Sequence, residues 1–359
     1  MFYIRTDANP IIATGHAMRC ISIAKEIKRL GEEVTFITAD MQAKELIEGN
    51  GFAIVCLDTV WNNLESELNK IVYIIKKNNI ERLLIDSYYV TENYLTQLRK
   101  YTRIIYLDDL ARFTYPVDIL INYNNYADTL GYEEWAPKTE TELVLGCLYA
   151  PLREEFREIV KTTGNDTKNV LVTTGGSDSC HVARNFLQYF TQEYCKVGKL
   201  NANTQKKQLN LILDNIELHV VVGKFNPDKE FLQEIEKDNP NIILHMDVTN
   251  MSDLMRKSDL AITAGGSTMY ELCACGVPMI TYSFADNQLL GVKGFEQLGV
   301  AKYIGDVRDG EEVLWEKILS SIQFYINNTE IRNKTSYHMQ TLVDGYGACR
   351  LAKIVLENN

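Results

Sequence analysis

The feature that most constrains this chain is an alternation of short apolar runs and amphipathic stretches that runs for about 150 residues, breaks, and starts again. "FYIRTD" (2–7) reads as a strand, and "AMRCISIAKEIKRLG" reads as a helix. Met18, Ile21, Ala24, Ile27 and Leu30 fall on one stripe of that helix, and Gly31 stops it. "EEVTFITA" supplies the next strand, followed by "FAIVCL", "RLLIDS", "RIIYLDD" and "DILINY", with helical segments such as "LESELNKIVYIIKKN" and "TENYLTQLRKY" between them. Strands separated by helices pair in parallel, and right-handed crossovers wind the helices over both faces of the sheet. The polar run "KTTGNDTKN" (161–169) interrupts the pattern, which restarts at "VLVTTGGSDS" and continues through "LHVVVG", "IILHM", "LAITAG" and "VPMITYS". The expected fold class is α/β, with two Rossmann-like, doubly wound domains at 1–150 and 165–330 facing a cleft. A C-terminal helix within 331–359 is expected to pack back on the first domain. The stretch "CKVGKLNANTQKKQLNLILDN" (195–215) reads as a polar insertion extending a helix.

Charge and cysteines exclude several classes. Asp and Glu outnumber Lys and Arg by 48 to 37, and no basic run interleaved with aromatics is present, so nucleic acid is not an expected partner. Eight scattered cysteines form no CxxC pair, and a chain of 359 residues needs no disulfide framework, which fits reduced thiols in a cytoplasm. "MFYIRTDANP" lacks the features of a signal peptide, and no apolar run approaches the roughly 20 residues of a membrane span. A cytoplasmic protein with no membrane span is expected; nothing fixes the oligomeric state, and a monomer is compatible.

Ligands of open α/β sheets bind outside the carboxyl ends of the strands. That rule singles out residues 6–16, 86–89, 173–179 and 264–268. In "ITAGGSTMYE", Gly265 and Gly266 remove side chains where backbone approaches a ligand, and Ser267 and Thr268 begin a helix whose free N–H groups suit a diphosphate. Gly175, Gly176 and Ser177 form a second turn of the same kind, and Glu271 lies where a carboxylate accepts from ribose hydroxyls. Tight strand-to-helix turns also use Gly-Gly with no phosphate nearby, so each turn alone leaves both readings open. Neither a Walker A sequence nor a GxGxxG after the first strand is present, which counts against ATPase and NAD readings. Asp108-Asp109 reads as a loop or helix start rather than a metal pair, and Cys273 and Cys275 face different sides of a helix. No metal and no cofactor are expected.

"IRTDANPIIATGHAMRC" (4–20), "LLIDSYY" (83–89), "LINYNNYA" (120–127), "LGCLYAPLREEF" (145–156), "TTGGSDS" (173–179) and "ADNQ" (285–288) together resemble the PseG-type UDP-sugar hydrolases of the pseudaminic acid pathway, within the GT-B superfamily. The resemblance implies cleavage of the anomeric C–O bond of a UDP-linked 2,4-diacetamido-2,4,6-trideoxy sugar, with inversion and without a metal. It makes His16 the general base. The matching motifs put Arg5 and Asp7 of "RTD", Gly15, Tyr88 of "DSYY" and Asn287 and Gln288 of "DNQ" at the sugar, with Asp7 beside His16, where it would fix the tautomer. Two departures, the polar insertion and the second tyrosine of "NYNNYA", bear on the sugar pocket.

The chemistry is self-consistent. UDP is a stable leaving group, so helix-start dipoles that hold its charge do more than protonation would. Imidazole titrates nearest neutrality, and a positioned general base contributes typically about 10²–10⁴ in rate. Without its neighbours His16 reads as a helix-start histidine. The other four histidines fit structural or surface positions, His219 and His245 in strands, His338 near the last helices and His181 past the second glycine turn. Two further functions fit the same residues: an inverting GT-B glycosyltransferase, in which His16 deprotonates an acceptor hydroxyl, and a non-catalytic UDP-sugar-binding protein.

Overall fold

The computed structural model describes residues 1–161, 168–176, 178–197 and 216–357; Ser177, much of the polar run at 161–169 and residues 198–215 of the insertion lie outside the described residues. The chain forms two compact units. One comprises residues 1–154 with the C-terminal segment from Gly345, and the other spans Glu155–Asp344.

The first unit is built on seven parallel strands: β1 (Phe2–Thr6), β2 (Val34–Thr38), β3 (Ala53–Cys56), β4 (Arg82–Asp86), β5 (Arg103–Leu107), β6 (Ile119–Asn122) and β7 (Glu142–Leu145). Their order is β3-β2-β1-β4-β5-β6-β7, so the winding reverses between β1 and β4. The central strands are buried along nearly their whole length, Arg82 and Arg103 at their starts being half-buried, because helices cover both faces. The first helix, Gly15–Arg29, buries Ile21, Ile23, Ala24 and Ile27, and each buried Ile contributes roughly 1.5–3 kcal/mol. Residues 331–359 contain two helices. Thr329–Leu342 lies in the second unit, and Gly347–Leu356 belongs to the first. Gly347 starts the latter against Ala150, whose carbonyl oxygen lies 2.1 Å from where a Cβ would sit, so no other residue fits there.

The second unit carries six parallel strands: β8 (Asn169–Thr173), β9 (Glu217–Val222), β10 (Ile242–Met246), β11 (Leu260–Ala264), β12 (Met279–Ser283) and β13 (Ala301–Asp306). Their order, β10-β9-β8-β11-β12-β13, reverses between β8 and β11. The sequence reading lacks β7 and β13, and both are edge strands. An edge strand is half exposed and need not be an unbroken apolar run; Glu142 and Lys302 are exposed. His219 and His245 lie on adjacent strands, Nδ1 of one 2.9 Å from Nε2 of the other.

Candidate active site

The loop from β1 to the first helix is short and tied by its own polar groups. Asn9 Oδ1 accepts from the backbone N–H of Ile11 (2.9 Å) and Ile12 (3.0 Å), and Ala13 takes a positive φ of 55° to turn the chain into the helix. This delivers Gly15 and His16 to the first turn, over the β1/β4 reversal. A small pocket opens there, lined by Asp7, Ile12, His16, Asp86 and the run Ser87, Tyr88, Tyr89.

His16 is buried, and its Nδ1 lies 2.7 Å from Asp86 Oδ1, at the last residue of β4. Asp7 was the carboxylate expected there. It lines the same pocket, but its Oδ1 accepts from Ala39 N–H (2.7 Å) and its Oδ2 takes Arg5 Nη1 (2.5 Å), so the imidazole's partner is Asp86. Arg5 is likewise displaced from its expected place at the sugar. It is wholly buried, and its Nε and Nη2 form a fork on Glu67 (2.8 and 2.7 Å), which also accepts from Tyr94 Oη (2.7 Å). Wholly buried between two carboxylates, Arg5 does not line the pocket. Burial raises the pKa of the Asp7 carboxyl above its ordinary value, outweighing the pull of Arg5.

Asp86 behaves in the opposite way. Burial alone would raise its pKa, but Arg19 and His16 hold it well below the usual carboxylate range. Arg19 donates from Nε to Asp86 Oδ2 (2.7 Å), from Nη2 to Asp86 Oδ1 (2.6 Å) and from Nη1 to Asp109 (2.9 and 3.1 Å). Asp109 also accepts from Tyr88 Oη (2.9 Å) and Asn124 Nδ2 (2.9 Å). Burial, reinforced by Asp109, pushes the Tyr88 hydroxyl well above its ordinary pKa, which keeps it a donor; its ring stands edge-on to His16 at 4.5 Å between centroids. Asp108 turns elsewhere, accepting from Tyr115, Tyr132 and the N–H groups of Leu110 and Ala111, so the two adjacent aspartates share no ligand position.

Sequence reasoning placed Asp86 on the cleft rim and read Asp109 as a loop residue, but gave neither a part beside His16, and it left out Arg19. One signal was available: His16 and Arg19 are three apart on a helix and therefore face the same way.

In the second unit the expected residues gather at the β8/β11 reversal. Gly175 and Gly176 follow β8, and Gly175 has φ +88°. Gly265 and Gly266 follow β11, which pairs with β8 through Thr263 and Thr173. A Cβ on Gly265 would lie 2.8 Å from Val292 Cγ1 and 2.9 Å from Gln288 Cβ, so the turn packs where only glycine fits. Gln288 Oε1 accepts from Phe284 N–H (2.9 Å), and Asn287 beside it is exposed. Ser267 precedes the Thr268–Cys275 helix without a side-chain cap bond, and Glu271 lies in its first turn. Gly223, absent from the sequence reading, completes this region: its missing side chain leaves space for the Gly176 carbonyl, 2.3 Å from a Cβ there. His181 is half exposed and pairs through Nδ1 with Asp228 (2.6 Å). Among the described residues no helix is long and apolar enough to cross a membrane.

Known proteins share this architecture. The crystal structure of Acinetobacter baumannii MurG superposes with a TM-score of 0.64 at 14% identity, covering 99% of both chains. The spinosyn rhamnosyltransferase SpnG complexed with thymidine diphosphate gives 0.59 at 13%, covering 99% of this chain and 100% of that one. The fold is GT-B. In sequence, the chain is 24% identical over 299 residues to the UDP-2,4-diacetamido-2,4,6-trideoxy-beta-L-altropyranose hydrolase of Campylobacter jejuni, covering 81% of this chain and 96% of that protein. An uncharacterised protein of Methanocaldococcus jannaschii is 26% identical over 290 residues, 77% of this chain but 54% of its own, so this chain spans about half the length of that relative. The spore coat polysaccharide biosynthesis protein SpsG of Bacillus subtilis is 26% identical over 213 residues, 59% of this chain and 56% of its own. Residues 160–341, just over half of the chain and nearly all of the second unit, match the glycosyltransferase family 28 C-terminal domain, and the chain belongs to that family.

Proposed function

We propose that this protein hydrolyses a UDP-linked diacetamido-trideoxy sugar at its anomeric carbon, with inversion, in the biosynthesis of a nonulosonic acid or a related polysaccharide. The observation that carries this reading is the His16–Asp86 pair at the β1/β4 reversal (2.7 Å). With Asp86 accepting from Nδ1–H, Nε2 is the ring nitrogen left to take a proton. Nε2 removes a proton from water as the water oxygen bonds to C1. The C1–O bond to the diphosphate breaks on the opposite face, and its electron pair leaves with UDP. Asp86 stabilises the imidazolium that forms. Asp7 and Tyr88 fall to the sugar side by the same proposal. Gly175, Gly176, Gly265, Gly266, Ser267 and Thr268 fall to the diphosphate and Glu271 to the ribose. Backbone N–H groups at a helix start offer fixed dipoles to the leaving charge.

The second reading is an inverting glycosyltransferase, favoured by the family match and by SpnG among the structural neighbours. It uses the same residues and gives His16 an acceptor hydroxyl in place of water. Incubating the protein with UDP-diacetamido sugars and no acceptor, and following UDP and the free sugar by NMR, separates the two. Hydrolysis predicts rapid release of sugar of inverted configuration. Slow release that accelerates when an acceptor is added overturns hydrolysis in favour of transfer.

A further inference from the structure

We propose that Arg19 is a positioning residue for His16, acting through two carboxylates and a tyrosine; the proposal rests on the reading of His16 as the base. Its guanidinium bonds both carboxylates of the cluster. Two nitrogens close a fork on Asp86 (2.7 and 2.6 Å), and the third donates to Asp109 (2.9 and 3.1 Å) and to Tyr123 Oη (3.0 Å). Asp86 Oδ1 is shared between Arg19 Nη2 and His16 Nδ1, so the fork fixes the oxygen that orients the imidazole. Asp109 Oδ2 holds the Tyr88 hydroxyl (2.9 Å), and the Tyr88 ring packs edge-on against His16. The imidazole is thus gripped at one nitrogen and against its ring, and both grips end on one planar cation. The circuit runs from His16 through Asp86, Arg19, Asp109 and Tyr88 back to His16.

A lysine cannot reproduce this, because an ammonium is a single point charge without the rigid fork. Nor is stability a sufficient account of the cluster, since buried ion groups often contribute little net stability over apolar packing. Removing Arg19 leaves Asp86 and Asp109 without their shared cation, which loosens both grips on the ring.

The test uses the full chain with Arg19→Lys, Arg19→Gln, and Arg19→Gln combined with Asp86→Asn, each checked for a cooperative thermal transition. In the first arm, nitrogen-15 NMR of the histidines is recorded without substrate. The wild type is expected to hold His16 as the Nδ1–H tautomer, and both single variants to mix tautomers. In the second arm, UDP release is followed at steady state. Arg19→Gln should lower kcat about 100-fold and Arg19→Lys about 10-fold, with KM and the UDP Kd within about twofold, as loss of aim rather than of binding requires. In the Asp86→Asn background, Arg19→Gln should cost less than it does in the wild type, because one of its two routes to His16 is already cut. Unchanged His16 signals, a loss carried by KM, or fully additive effects would each overturn the proposal. If the wild type releases no UDP, the hydrolase reading fails instead, and the tautomer arm still decides the role of Arg19. Should Arg19→Gln not fold, Arg19→Lys carries both arms.

Discussion

At the β1/β4 reversal of the first unit, the strand ends and the first helix deliver His16, Arg19, Asp86 and Asp109; at the β8/β11 reversal of the second they deliver Gly175, Gly176, Gly265 and Gly266. Both are topological switch points, where open α/β sheets leave room for ligands. The first is furnished with side chains. Its charges are buried, so each must be paired, and the pairing fixes their geometry. The second is furnished with backbone, and glycines there let main-chain N–H groups approach a ligand without a Cβ in the way. Under the proposed function the contrast divides chemistry from holding: the first reversal has groups that can move a proton, and the second is assigned the anion.

The largest break in that contrast is expected from His16→Asn. If the first reversal performs the chemistry, kcat for UDP release falls by about 10²–10⁴, while UDP binding, measured by calorimetry, is unchanged. A variant that keeps its turnover removes His16 as the base. The complementary break is Gly223→Ala. The added Cβ would meet the Gly176 carbonyl oxygen at 2.3 Å and its carbon at 2.7 Å, contacts to backbone that no rotamer relieves. Overpacking of this kind costs about 1–3 kcal/mol, and the Gly175–Gly176 turn must shift. UDP affinity should drop about tenfold or more, and the His16 tautomer should not change; unchanged UDP affinity would show that this turn does not hold the nucleotide.

How much of this was legible in the sequence follows from the range of each interaction. The central strands were, because burial on both faces writes itself as a continuous apolar run; the edge strands β7 and β13 were not, because half-exposed strands carry Glu142 and Lys302. The glycine turns and His16 were legible as local features. The partners of His16 were not. Asp86 lies 70 residues away, and Arg19 reaches Asp109 across 90, so only the parallel register of β1, β4 and β5 brings them together. Arg5 misled for the same reason. The matching motif put it at the sugar, and its closure on Glu67, 62 residues on, is visible only once the loop is folded.

The smallest expected effect sharpens the comparison through acid. Asp86 in the first unit and Asp178 in the second are both buried carboxylates, yet they shift in opposite directions. Arg19 and His16 hold Asp86 low against the cost of burial, whereas burial raises Asp178 despite the N–H groups of Val182 and Ala183 that it accepts. A carboxyl lowered by folding contributes stability that is present above its unfolded value of about 3.9 and lost as pH falls through the folded value. A carboxyl raised by folding does the reverse: its ionised form costs stability at neutral pH, and acid relieves that cost. As pH falls below about 4, Asp86 should therefore withdraw stability from the first unit, with Asp7 there opposing it, while Asp178 protects the second. Scanning calorimetry from pH 6 to pH 2 on the wild type, Asp86→Asn and Asp178→Asn checks the signs. Asp86→Asn should flatten the acid fall of one transition, and Asp178→Asn should steepen the other. Parallel curves for all three proteins would mean that the two reversal points do not differ in charge as their geometry requires.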